Sequence, residues 1–178
     1  MTRPASIASD SILGVSIPWP GIRGALITGA SSGLGAALAH ALAAPGVSLH
    51  LSGRDEARLA GVAEACRRLG ASVHTRVIDT RDALAMEAWI VESGPLDLVI
   101  ANAGVAAGNS AGGPETAEQT RRVLGTNVDG VVNTVLPALA LMRGQPVGAR
   151  GLRGRIAVIA SIAAFLPLPG SAAYCASK

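Results

Sequence analysis

Aromatic residues are scarce in this chain of 178 residues: one tyrosine, one phenylalanine and two tryptophans make up 2% of it. The core must therefore be packed from alanine, valine, leucine and isoleucine. Nucleic-acid binding is disfavoured, because no basic stretch is interleaved with aromatic side chains that could stack on bases. The net charge is only +3, and the basic residues are scattered apart from Arg121-Arg122 and the arginines between positions 143 and 155.

Cysteine is also scarce. Cys66 and Cys175 are too few for a disulfide framework, and we expect two reduced thiols. No group of histidines and cysteines has the spacing of a metal site, so no metal is predicted. No uninterrupted apolar run approaches the ~18 residues of a membrane span. Residues 1–22 lack the features of a secretory signal, so we expect a cytoplasmic protein that does not bind membranes.

The remaining composition indicates one folded domain, with 49% hydrophobic and 15% charged residues. Short apolar runs alternate with helical stretches, which favours right-handed crossovers and a parallel sheet with helices on both faces. The domain is predicted at residues 23–178, after an arm at 1–22. Strands are predicted at Ala25–Thr28, Ser48–Ser52, Ser72–Ile78, Leu98–Ala101 and Arg155–Ala160. Helices are predicted at Ser31–Ala43, Asp55–Leu69, Asp82–Glu92, Ala117–Leu124 and Val128–Met142.

A glycine-rich segment joins the first predicted strand to the first helix, Thr28-Gly29-Ala30-Ser31-Ser32-Gly33-Leu34-Gly35. Glycines let the backbone approach a pyrophosphate, and the helix N-terminus offers free N–H groups and a partial positive charge. The alternative is a tight turn that binds nothing. The strand, turn and helix around the segment favour the phosphate-binding interpretation.

The chain ends with a Tyr-x-x-x-Lys pattern, Tyr174-Cys175-Ala176-Ser177-Lys178. In a helix, positions i and i+4 lie on one face, so the lysine ammonium would lie beside the phenol. A nearby cation favours the ionised phenol, and such a tyrosine can exchange a proton near neutral pH. The pattern is common by chance, so its weight depends on the glycine-rich segment upstream.

Together these segments resemble the short-chain dehydrogenase/reductase family. The resemblance also rests on Asn102-Ala103-Gly104 and on Ser161, which precedes Tyr174 by the family's typical spacing, and it covers about residues 24–178. It implies a doubly wound, Rossmann-like α/β fold, for which we expect the strand order 3-2-1-4-5. It further implies a nicotinamide cofactor and reversible hydride transfer between a carbonyl and an alcohol on a small molecule.

The resemblance assigns four catalytic roles. Tyr174 would exchange a proton with the substrate oxygen, and Lys178 would favour ionisation of Tyr174 and hold the nicotinamide ribose. Ser161 would hydrogen-bond the substrate oxygen. Asn127 would hold a water that links the lysine to solvent. Without the resemblance, Ser161 could equally be a turn residue at a strand end, and Asn127 a helix cap or bend.

Cofactor preference depends on the end of the second strand, where the adenosine ribose is recognised. Arg54 follows there instead of an acid and favours the 2′-phosphate of NADP, although NAD stays possible and Arg54 could be a plain surface residue. The family places an acidic residue, here Asp79, against the adenine; a simple turn residue is the alternative. The predicted cofactor-binding residues are Thr28, Gly29, Ser31, Ser32, Gly33, Leu34, Gly35, Arg54, Asp79, Thr80, Asn102, Ala103, Gly104, Tyr174 and Lys178.

In the family, the helix with the Tyr-x-x-x-Lys pattern continues past the lysine, and a sixth and a seventh strand follow. The sequence therefore predicts the N-terminal portion of an oxidoreductase that is a homo-oligomer when full length. A mean hydropathy of +0.42 suits apolar faces that contact a partner or a further part of the fold. The alternative is a nucleotide-binding product without turnover. We expect the 178 residues alone to be inactive.

Overall fold

The computed structural model describes residues 21–106, 115–148 and 151–178. Positions 1–20 of the predicted arm therefore lie outside the described residues. The strands within those ranges are β1 Gly24–Ile27, β2 Ser48–Gly53, β3 Ser72–Val77, β4 Leu98–Ala101 and β5 Arg155–Val158. The α-helices are α1 Gly33–Leu42, α2 Glu56–Arg68, α3 Ala83–Glu92, α4 Ala117–Leu124, α5 Gly130–Gly144 and α6 Ala172–Ala176.

The five strands form one sheet in the order β3-β2-β1-β4-β5, and every neighbouring pair is parallel. This confirms the predicted fold class and strand order. All residues of the central strands β1 and β4 are buried. Helices cover both faces of a parallel sheet, which explains why these strands read as continuous apolar runs in the sequence.

Two hydrophobic clusters lie on opposite faces of the sheet. Ala25 and Ile27 of β1 belong to the cluster that Leu59 of α2 also joins. Leu26, between them in the sequence, belongs to the other cluster, with Trp89 of α3 and residues of α5. This alternation follows from the two-residue period of a strand. The first cluster also includes Ile22, so the packed core begins within the predicted arm.

Local signals gave the correct ends of α2. The Asp55 side chain accepts a hydrogen bond from the Arg58 backbone N–H at 2.9 Å, as expected of an N-cap. After the helix, Gly70 adopts φ +93°, a left-handed conformation that glycine reaches without steric cost. The chain can therefore turn sharply into β3.

The two helices predicted at Ala117–Leu124 and Val128–Met142 are one continuous helix over residues 117–144. A π-helical turn, Gly125–Asp129, joins α4 to α5, and the helix runs on through Pro137. By length and composition alone, this is the one described helix that could cross a membrane. Core helices of soluble proteins pass the same test, and Met142 is buried in the cluster with Trp89.

Candidate active site

A cavity of about 940 Å³ opens at the carboxyl ends of the strands. Each strand contributes a lining residue from the segment that follows it. These are Ser31 after β1, Arg54 after β2, Asp79 after β3, Asn102 after β4 and Ile159 after β5. Parallel topology brings these segments together, and ligands of open α/β sheets bind at this edge.

The glycine-rich segment forms one wall of the cavity. Gly29 has φ +67°, and a Cβ atom there would lie 2.8 Å from the Ala103 Cα, so a larger residue would be both strained and obstructed. Ser32 is the N-cap of α1, but its side chain makes no capping hydrogen bond. The first N–H groups of α1 therefore have no cap from Ser32 and lie at the cavity wall, where they can bind a phosphate.

Thr28 supports this wall from behind. It is only 1% exposed and is not among the lining residues. Its hydroxyl accepts hydrogen bonds from the backbone N–H groups of Asn102 at 3.0 Å and Ala103 at 3.1 Å. The Asn102 amide donates in return to the Thr28 carbonyl at 2.9 Å. Thr28 therefore locks the loops after β1 and β4 together, whereas the sequence suggested direct contact with the cofactor.

The end of β2 leaves no room for a side chain at position 53. A Cβ atom on Gly53 would lie 2.9 Å from the Ser31 Cβ, which is closer than two non-bonded carbon atoms normally approach. The first side chain after β2 that can reach the cavity is therefore Arg54, which is exposed and lines it. Among the described residues, Arg54 forms no salt bridge. Its charge acts on the Asp79 carboxylate, but that carboxylate is already paired with Arg81, so the Arg54 guanidinium can still bind an anion.

Asp79 lines the cavity, but its charge is balanced by a neighbour. The Arg81 guanidinium donates to both Asp79 carboxylate oxygens at 2.7 to 3.1 Å. These hydrogen bonds hold the pKa of the Asp79 carboxyl below its usual value. The cap of α3 is Asp82, which accepts from the Ala85 N–H at 3.0 Å. Asp79 itself lies in the turn before that cap. Because Arg81 pairs with it, the Asp79 carboxylate adds no net negative charge to this part of the cavity. Thr80 lies beside Asp79 in the same wall.

Tyr174 and Lys178 line the same cavity as the glycine-rich segment, although about 140 positions separate them from it in the sequence. The Lys178 Nζ lies 5.8 Å from the centroid of the Tyr174 ring. The same Nζ donates a hydrogen bond to the Ile159 carbonyl at 3.1 Å, which anchors the ammonium beside the end of β5. The predicted Tyr-x-x-x-Lys neighbours are therefore side by side in the site.

Asn127 holds three segments together. It lies in the π-helical turn, is 3% exposed, and accepts from the Val105 N–H at 2.8 Å through Oδ1. Its Nδ2 donates to the Val105 carbonyl at 2.9 Å and to the Ser177 hydroxyl at 2.8 Å. A Cβ atom on Gly104 would lie 3.2 Å from the Lys178 Nζ and 3.4 Å from the Asn127 Oδ1. The loop after β4, the long helix and the end of α6 meet at this point.

Ser161 does not line the cavity. Its hydroxyl accepts a hydrogen bond from the Ala163 N–H at 3.2 Å and caps the 3₁₀ turn Ile162–Ala164. This is the turn role that the sequence left open as the alternative. The structure therefore brings Tyr174 and Lys178 together with the glycine-rich segment and holds Asn127 directly behind them, and it places Ser161 outside the lining.

Several lining residues were not predicted from the sequence. Except for Arg58, which lies in α2, they share a position just after a strand or next to a predicted residue, which is the signal that could have identified them. Thr126 precedes Asn127, and its hydroxyl is buried without a hydrogen-bond partner among the described residues. The unpredicted lining residues include Gly53, Arg58, Ile78, Val105, Thr126 and Ile159.

Comparison with known proteins gives a consistent result. The family model described as "short chain dehydrogenase" matches residues 23–178. The chain is 38% identical over 157 residues to a probable oxidoreductase, EphD, of Mycobacterium tuberculosis, covering 85% of this chain and 25% of that protein. It is 38% identical over 165 residues to an uncharacterized oxidoreductase of Myxococcus xanthus, covering 88% and 60%. It thus spans a quarter to three fifths of these relatives.

Two solved structures with the same fold were determined in complex with nicotinamide cofactors. One is a short chain dehydrogenase/reductase from Burkholderia phymatum in complex with NAD, with a TM-score of 0.76 and 30% identity, covering 87% of this chain and 54% of that one. Another is an alcohol dehydrogenase from Thermococcus sibiricus complexed with 5-hydroxy-NADP, with a TM-score of 0.74 and 28% identity, covering 87% and 65%. Both forms of the cofactor therefore occur among the structural neighbours.

Proposed function

Because this chain belongs to the short-chain dehydrogenase family, we propose that its protein is an NADP(H)-dependent oxidoreductase that interconverts a carbonyl and an alcohol on a small molecule. One observation carries the proposal: Tyr174 and Lys178 line the same cavity as the glycine-rich segment. The group proposed to exchange the proton, Tyr174, and the wall proposed to bind the dinucleotide thus line one cavity. The names of the relatives support oxidoreductase chemistry in general.

The residues present fit a dinucleotide. The glycine-rich wall offers uncapped N–H groups of α1 to a pyrophosphate, and the small residues Ala103 and Gly104 leave space beside it. When bound, the cofactor supplies or accepts the hydride. Arg54 would bind the 2′-phosphate of NADP, and Lys178 would hold the nicotinamide ribose. The lack of room for a side chain at Gly53 supports a preference for NADP over NAD, since an acidic side chain that binds the 2′-hydroxyl of NAD cannot be placed there.

Tyr174 is the proposed proton donor and acceptor. In reduction of a carbonyl, the carbonyl carbon gains the hydride and the carbonyl oxygen takes the proton from the Tyr174 hydroxyl. The phenolate that remains is stabilised by the neighbouring Lys178 ammonium. In oxidation of an alcohol, both transfers run in reverse. Asn127 contributes by holding Val105 and Ser177, and thereby the end of the tyrosine helix.

The alternative is a nucleotide-binding protein without turnover. The position of Ser161 favours it, because the proposed hydrogen-bond donor to the substrate oxygen does not line the cavity. The exposed apolar side chains Val132 and Leu136, 46% and 60% exposed on the long helix, support a homo-oligomer in either case.

One assay tests the proposal. We expect the full-length protein to oxidise NADPH with members of a panel of ketones and aldehydes. Tyr174→Phe removes only the phenolic hydroxyl, so turnover should fall about 10²–10⁴-fold while calorimetric NADPH affinity is unchanged. Cys175→Ser is the matched control on the same helix and should retain activity.

Two results would contradict the proposal. Near-normal turnover of the Tyr174→Phe variant would remove Tyr174 as the proton donor. NADPH binding by the unmodified protein without turnover on any substrate of the panel would support the alternative instead.

A further inference from the structure

Glu115 bonds to the helix that carries Tyr174, although 58 positions separate it from its partner in the sequence. Its Oε2 accepts a hydrogen bond from the Ala173 backbone N–H at 2.7 Å. Glu115 lies two residues before the start of α4 and does not line the cavity. It is therefore a structural neighbour of the tyrosine helix, and nothing in the proposed chemistry uses it directly.

The helix α6 needs such a partner. It has only five residues, and a helix this short is not stable by itself. Its N-cap residue, Ser171, makes no side-chain capping bond. The first bond of the helix runs from the Cys175 N–H to the Ser171 carbonyl, so the preceding N–H groups have no acceptor within the helix. Glu115 supplies an acceptor to one of them.

The position of Glu115 is itself fixed by α4. The next residue, Thr116, is the N-cap of α4 and forms a capping box with Gln119. The Thr116 hydroxyl accepts from the Gln119 N–H at 3.2 Å, and the Gln119 side chain accepts from the Thr116 N–H at 2.8 Å. The segment that caps α4 thus holds the Glu115 carboxylate at the start of α6.

A small apolar cluster makes a second contact between the same two helices. Val123 of α4 is fully buried against Ala173 of α6, and the partly buried Tyr174 and Val105 pack around them. Apolar packing is non-directional, whereas a hydrogen bond to one N–H group constrains the orientation of that end of the helix. Further bonds from Cys175 and Ser177 hold the rest of α6, so the two contacts act mainly on its first turn, which includes Tyr174.

One oxygen of Glu115 still lacks a partner. Its Oε1 is buried and makes no hydrogen bond with the described residues. A buried carboxylate oxygen without a partner is costly, so each such group calls for an explanation. The free Oε1 lies on the carboxylate that already binds the Ala173 N–H.

We propose that Glu115 is a positioning residue for Tyr174, because its carboxylate caps the catalytic helix and sets the place of the phenol in the cavity. This inference rests on the proposed function of Tyr174. It assigns Glu115 no contact with substrate or cofactor. We expect the length of the side chain at position 115 to matter more for turnover than its charge.

The test compares three substitutions in the full-length protein, with turnover of NADPH as the first readout. Glu115→Ala removes the cap, and Glu115→Asp keeps the charge but shortens the side chain by one methylene group. Both should lower kcat about 2- to 30-fold, the range expected for loss of a helix cap, with less than a twofold change in the KM for substrate. Glu115→Gln keeps the length and an acceptor oxygen, and should stay within about threefold of the unmodified enzyme.

Hydrogen exchange at the Ala173 amide is the second readout. It should be faster in the Ala and Asp variants by a factor similar to the loss in kcat, and unchanged in the Gln variant. Glu118→Ala, an exposed acidic residue in the first turn of α4, is the matched control and should change neither measurement. Full activity of both the Ala and Asp variants, or a Gln variant as impaired as they are, would overturn the proposal.

The failure of this proposal can be told apart from the failure of the proposed function. If Tyr174→Phe abolishes turnover but the Glu115 variants are normal, only the positioning role is wrong. If Tyr174→Phe remains active, the catalytic role proposed for α6 is wrong. Faster exchange at the Ala173 amide without a loss of kcat in the Glu115 variants would then show that Glu115 is a purely structural cap.

Discussion

The strongest prediction about ligand choice is that Arg54 determines the preference for NADP over NAD. Gly53 is held against Ser31, so no side chain at position 53 can reach the adenosine ribose without moving the glycine-rich wall. Arg54 is exposed, lines the cavity and forms no salt bridge with the described residues, so binding a phosphate would break no existing ion pair. Arg54→Asp removes this cation and adds a carboxylate that repels the 2′-phosphate.

The size of the effect follows from the type of contact. A hydrogen bond to a charged group contributes about 1.5–3 kcal/mol, which corresponds to about 10- to 150-fold in affinity. Because Arg54 is exposed, solvent and salt screen it, and we expect the lower part of that range, about 10- to 30-fold at ~0.1 M salt. The substitution should reverse the preference so that NADH binds more tightly than NADPH.

Calorimetric titration of both cofactors checks this prediction. Arg68→Asp makes the same change of charge at an exposed position near the end of α2, outside the cavity lining, and should leave the ratio of the two affinities unaltered. Raising the ionic strength should reduce the preference of the unmodified protein. Equal affinities that Arg54→Asp leaves unchanged would refute the reasoning and place the 2′-phosphate elsewhere.

Two further predictions concern the contact of Gly104 with Lys178 and the stacked histidines of the sheet. Gly104→Ala should lower turnover about tenfold, since its Cβ would lie 3.2 Å from the Lys178 Nζ, whereas Gly61→Ala, whose Cβ would meet no atom outside the backbone of α2 within 4 Å, should be neutral in the same assay. Partial burial, and then the charge of the stacked His74, lowers the pKa of His50 to about 4. His50 is neutral in the folded protein while the unfolded chain takes up its proton, so stability is lost as the pH falls from about 6.5 towards 4. Allowing for solvent screening, urea unfolding at pH 7.5 and 5 should differ by about 1 kcal/mol more in the unmodified protein than in His50→Gln; equal differences would contradict the assignment.

The fold was largely predictable because its signals are local or repeated. The alternation of apolar runs and helical stretches identified every strand in the part of the chain that the structure describes, with β4 at its predicted ends and the others within two residues. Asp55 and Gly70 marked the ends of α2 by the chemistry of capping. The long helix was misjudged, because Asn127 and Gly125 weaken a helix in isolation. Bonds from Asn127 to Val105 and Ser177, 22 and 50 positions away, compensate for that weakness.

The sequence by itself determined the order of elements, the glycine-rich turn between β1 and α1 and the proximity of Tyr174 to Lys178, since each depends on residues within a few positions of one another. The tertiary structure alone decided the rest. It excluded a side chain at Gly53 through Ser31, turned Thr28 away from the cavity, kept Ser161 out of the lining, and placed Glu115 at the start of the tyrosine helix. The physical reason is that these contacts join segments distant in the chain. Their geometry exists only once the sheet has brought the ends of its strands together.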